Sequence, residues 1–148
     1  METANKVSFE DGWLSKPLEV LENDYWGEPE FKSYLRTTCF KLRKKLLKDF
    51  DTEDLRIMIG QSISLKYLVP LAIEVLNKNI LASGDFYEGD LLISILRSDK
   101  DYWKSEVENW KTIRDLFNRN RVFLNDYEET EEIVKLWNDL FEEFEKIN

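Results

Sequence analysis

Apolar residues in this chain recur every three to four positions from about residue 15 onward, and no window alternates apolar and polar residues well enough to make a half-buried strand. That spacing lines one side of a helix and forces helices to bury their stripes against each other. Five glycines and three prolines, nearly all between the periodic segments, serve as boundaries. The fold expected is all-α: a single-domain bundle of about seven helices over residues 1–148, joined by short connections, with residues 1–12 loose. At 43% hydrophobic and 14% aromatic, the chain has enough apolar material to fold without disulfides or a structural metal.

The helices are expected as follows. Ser15-Lys16-Pro17-Leu18-Glu19 starts a short one running to about Asn23. Gly27-Glu28-Pro29 opens a second, with Phe31, Tyr34/Leu35, Thr38/Cys39 and Leu42 on its inner face. It ends in the basic cluster Lys41, Arg43, Lys44, Lys45 and Lys48, which suits a helix C-terminus in solvent. Asp51-Thr52-Glu53-Asp54 starts a third, with Leu55, Met58 and Ile59 inward. Leu65 to Asn77 is apolar nearly all round and belongs at the centre, where Pro70 either bends the helix or delays its start. Asp90 caps a fifth, through Leu96. Trp103, Val107, Trp110, Ile113 and Phe117 stripe a long sixth from about Asp99, and Ile133, Leu136/Trp137, Leu140/Phe141 and Phe144 stripe the last, from about Glu128 to Lys146.

Charge limits function. Thirty Asp and Glu outnumber twenty-one Lys and Arg, for a net −9. Residues 1–48 hold eight acids and nine bases, and the rest hold twenty-two acids and twelve bases. Such a chain is expected to bind something positive, and neither nucleic acid nor anionic lipid suits it. There is no histidine and one cysteine, Cys39, so a Ser-His or Cys-His nucleophile, a His-ligated zinc and any multi-cysteine metal site are excluded. Phosphate-binding glycine loops and the calcium-loop pattern are absent. Paired carboxylates are left, but thirty acids make pairs by chance. No catalytic residue, metal or cofactor is expected. One cysteine and no signal peptide or spanning segment suggest a cytoplasmic protein.

The densest acidic stretch, Asp126 to Glu145, sets Glu128, Glu132, Asp139, Glu142, Glu143 and Glu145 mostly opposite the apolar stripe, as on the outer face of a packed helix. Two loops are less ordinary. Asp24-Tyr25-Trp26-Gly27-Glu28-Pro29 and Gly84-Asp85-Phe86-Tyr87-Glu88-Gly89-Asp90 each mix aromatics with acids around glycine. Aromatics carry much of the energy of protein interfaces and acids supply steering. The candidate partner-binding residues are therefore Asp24, Trp26, Glu28, Asp85, Phe86, Tyr87, Glu88 and Asp90. A plainer reading has Trp26, Phe86 and Tyr87 plugging bundle ends with Asp85 and Asp90 as caps.

These loops also carry a resemblance. Lys16-Pro17-Leu18-Glu19, Asn23 to Pro29, Leu42-Arg43-Lys44-Lys45, Asp54-Leu55-Arg56-Ile57-Met58-Ile59-Gly60-Gln61, Gly84-Asp85-Phe86-Tyr87 and Gly89-Asp90-Leu91-Leu92, in this order, resemble an immunity-protein family of bacterial contact-dependent growth inhibition systems. The likeness covers roughly residues 15–96. It departs at Leu46 and Glu88, where the family often has proline, and near Phe40, where it often has histidine. The resemblance implies a cytoplasmic protein that binds, one to one, the C-terminal toxin domain of a large surface effector and neutralises it. Toxins of such systems are frequently nucleases with positive clefts, and an acidic helical protein suits one. An acidic helical adaptor of a protein unrelated to a toxin is the other reading of the composition.

Overall fold

Nine α-helices, against the expected seven or so, and no strand occur among the residues that the computed structural model describes, which are 9–30, 33–127 and 131–148. In chain order they are α1 (Leu18–Leu21), α2 (Tyr34–Leu42), α3 (Thr52–Gly60), α4 (Leu65–Lys78), α5 (Asp90–Arg97), α6 (Lys100–Ser105), α7 (Val107–Arg119), α8 (Arg121–Asn125) and α9 (Glu131–Glu145). Short 3₁₀ turns at Trp13–Ser15 and Leu47–Asp49 flank the N-terminal part, where an isolated antiparallel bridge joins Pro17 to Leu46. Of the segment 1–12 expected to be loose, 1–8 lie outside the described residues, while the Phe9 ring packs against Trp13 and Tyr67.

The helix count rises at two breaks. The long sixth helix divides at Glu106 (φ −108°, ψ 63°) into α6 and α7. Ser105 helps end α6 by turning its hydroxyl onto the carbonyls of Asp101 and Tyr102, a local bond that competes with the helix ladder. Beyond α7, Asn120 bonds back to the Leu116 carbonyl and the chain turns once more as α8.

Two further expectations shift. The second helix does not open at Gly27-Glu28-Pro29 but at Tyr34, where the Ser33 hydroxyl accepts the Arg36 amide at 3.1 Å. Its first turn faces outward, with Tyr34 77% exposed, because only Cys39 and Leu42 reach the core. Phe31 lies outside the described residues. The basic cluster is not wholly solvated either: Arg43 is 2% exposed.

Other features follow the sequence closely. Asp51 and Asp54 form a reciprocal capping box at the start of α3. Pro70 sits inside α4 without delaying its start at Leu65. The acids Glu132, Asp139, Glu142, Glu143 and Glu145 face outward on α9, while Glu128 lies outside the described residues.

One hydrophobic core unites these helices. α3 packs on α5, α5 on α9 and α4 on α7. An aromatic seam closes the C-terminal half: Phe117 stacks on Phe141 with centroids 4.0 Å apart, and the Trp110 indole donates to the Phe144 carbonyl at 2.9 Å. Each such ring, fully buried, stabilises by about 1.5–3 kcal/mol over the same ring left in water. No helix among the described residues is long and apolar enough to cross a membrane.

Candidate functional site: two acid–aromatic loops, each laid over an arginine

The loop at 84–90 is built around the carboxylate of Asp90. Although it was expected to cap α5, Asp90 is the first residue of that helix, Gly89 being the cap position. Its side chain turns back upstream, where one oxygen accepts the Gly84 amide at 2.7 Å and the other the amides of Phe86 and Tyr87 at 3.1 and 3.3 Å. With 2% exposure it is the buried hub of the loop, not a surface acid. Three amide donors and the nearby Arg56, whose Nε is 3.7 Å from the carboxylate, offset the cost of burying that charge.

Arg56 belongs to α3, and its fork binds Glu53 through two bonds of 2.6 Å. Glu53 in turn accepts the Asp85 amide at 2.8 Å. The Arg56 bonds, with help from that amide, hold the Glu53 carboxyl below its ordinary pKa, and Glu53 in turn raises that of Arg56. The Phe86 ring faces the guanidinium carbon at 4.1 Å from its centroid, and stays 70% exposed. So Phe86 does not plug a bundle end, and Tyr87, Asp85 and Glu88 are exposed beside it.

Glycine is required twice in this loop. A Cβ on Gly84 would stand 3.1 Å from the Glu53 backbone. Gly89 has φ +84°, and a Cβ there would meet the buried Trp137 ring at 2.8 Å.

The loop at 24–29 repeats the device with other residues. Arg43, at the end of α2, donates through Nη1 to Glu22 and to the Ser64 hydroxyl (3.1 Å), and through Nη2 to the Asp24 carbonyl at 2.6 Å. Ser64 completes the ring by donating to Glu22 at 2.9 Å. The Trp26 indole covers the guanidinium at 4.5 Å, meets Phe40 edge-on at 5.0 Å and donates to the Asp24 carboxylate at 3.2 Å. Trp26 remains 36% exposed, and Asp24 and Glu28 are exposed with it.

The two loops are not brought together. Loop 84–90 is tied to Glu53 and Arg56 in α3, whereas loop 24–29 is tied through Arg43 to Ser64, beyond the other end of that helix. From sequence, Arg43, Glu53 and Arg56 were read only as part of a basic helix end, a helix start and a family motif, and Glu22 and Ser64 were not singled out. Glu53 and Arg56 could have been paired, as an acid and a base three apart on one helix.

The arrangement offers surfaces for contact. Among the described residues no group of three or more His, Cys, Asp or Glu is placed to hold a metal ion. Cys39 is buried, and burial raises its thiol pKa.

Comparison with curated proteins gives no match. A family model, that of the CDI immunity proteins, matches residues 20–113, a span that includes both loops and the α3 clamp between them. With well over half of its length matched, the chain belongs to the CDI immunity proteins.

Proposed function

We propose that the protein binds the C-terminal toxin domain of its cognate CDI effector one to one, and neutralises it by covering a positive active-site cleft or the surface next to it. The exposed rings of Trp26 and Phe86, each held over a guanidinium whose charge an internal carboxylate already meets, carry this reading. Rings fixed in advance lose little freedom on binding, which is where much affinity is otherwise lost. Asp24, Asp85 and Glu88 are exposed nearby in a chain of net charge −9, so the face suits a basic partner. A nuclease is the toxin chemistry that best fits, since gripping a polyanion demands a positive cleft.

The test is stopped-flow association with the purified toxin domain of the effector encoded immediately upstream. A tight 1:1 complex is expected, with an on-rate that falls roughly tenfold or more between low and high salt. A flat salt dependence would remove the electrostatic part of the proposal. Absence of a complex, with no protection on co-expression, would remove the whole.

A further inference from the structure

A cleft of about 270 Å³ opens beside Trp26, and its walls include Leu35, Phe40 and Ile63 with Arg36 and Gln61. Among the described residues it joins a concavity to the exposed Trp26 ring, and the exposed rings and acids of residues 24–34 neighbour its lining in sequence. Tyr25 and Tyr34 are 60% and 77% exposed, and Leu35, on the cleft wall, is 41% exposed. Asp24, Glu28 and Glu30 are exposed along the adjoining loop. Arg43 sets the Trp26 wall in place from behind, so the cleft exists before any partner arrives. Phe86 differs, because it is 70% exposed and does not line this cleft.

We infer that this cleft is the primary anchor site for the toxin domain. It receives one aromatic or branched apolar side chain from a basic surface whose flanking cations meet Asp24, Glu28 and Glu30, and the 84–90 loop makes a secondary contact. The inference rests on the toxin-binding reading above. Its physical basis is that binding energy concentrates where a side chain fills a desolvated pocket ringed by polar contacts.

Leu35 and Gln61 are both exposed, so Leu35→Arg and Gln61→Trp charge or fill the cleft without touching the core. Binding of the upstream-encoded toxin domain is measured by biolayer interferometry, with thermal melts to confirm wild-type folding. Each variant is expected to weaken binding at least tenfold, mainly through faster dissociation, and Phe86→Ala to cost less than either. Cleft variants that lose less than tenfold, or a larger loss for Phe86→Ala, overturn the assignment. A wild-type protein that does not bind overturns the toxin reading itself, before any variant is compared.

Discussion

Arg43 and Trp26 form a stack in which a nearly inaccessible guanidinium supports a half-open indole, 4.5 Å away. The cation is fixed by Glu22, Ser64 and the Asp24 carbonyl, so the ring rests on a support that does not move with solvent. Replacing Arg43 by Met keeps the bulk and removes every donor. The expected loss is about 2–3 kcal/mol, below the 3–5 typical of a fully buried pair, because Glu22 is 26% exposed and can rehydrate. Urea unfolding measures it, and amide exchange at residues 24–26 should quicken more than in α5. An unchanged urea midpoint would contradict the stack's structural role.

Glu53 makes the loop at 84–90 sensitive to acid. Its carboxyl is held below the ordinary 4.5, chiefly by the bonds from Arg56. A depressed carboxyl contributes stability that is present above the unfolded value and disappears as pH falls through the folded one. The wild-type urea midpoint should therefore drop, as pH falls below the ordinary value of 4.5, more steeply than that of Glu53→Gln. The Gln variant should be less stable at neutral pH, since the ion pair with Arg56 is gone and only one of its two bonds still has an acceptor oxygen. Parallel pH profiles for the two proteins would refute the linkage.

Gly89→Ala and Gly27→Ala separate backbone strain from steric conflict. Both glycines have positive φ, +84° and +73°, but only Gly89 has anything within 4 Å of the added methyl group. Gly27→Ala should cost about 1 kcal/mol from the left-handed backbone alone. Gly89→Ala should cost about 2–4 kcal/mol, because Trp137 lies in the core with no room to yield. Thermal melts of the pair decide this, and equal losses would mean that Trp137 moves aside.

The helices were legible where their signals are local. The Asp51–Asp54 capping box, the nearly all-apolar run of α4 and the stripe of α9 each lie within one helix or its cap. What escaped depends on partners far along the chain. Arg43 sits among lysines and looks solvated, yet its burial is decided by Glu22 and Ser64, each twenty-one residues away. Asp90 follows a glycine at a helix start, the usual place for a cap, but its carboxylate is captured by amides behind it. The candidate loops themselves were visible as acid–aromatic clusters. Which of their acids would face solvent was not, because that depends on the α3 and α2 side chains beneath them.

Because one loop is fastened to Glu53 and Arg56 on α3 and the other, through Arg43, to Ser64 just past that helix, the helix acts as a ruler between them. Eight residues separate Glu53 from Gln61, roughly 12 Å at the helical rise. At that spacing, with no shared partner, changes in one loop should leave the other's energetics intact and combine additively to within about 0.5 kcal/mol. A double variant such as Leu35→Arg with Phe86→Ala should bind with the sum of the single losses, and a coupling beyond that margin would mean that the ruler bends. Recognition of a new partner can then be adjusted at one end while the grip at the other is kept.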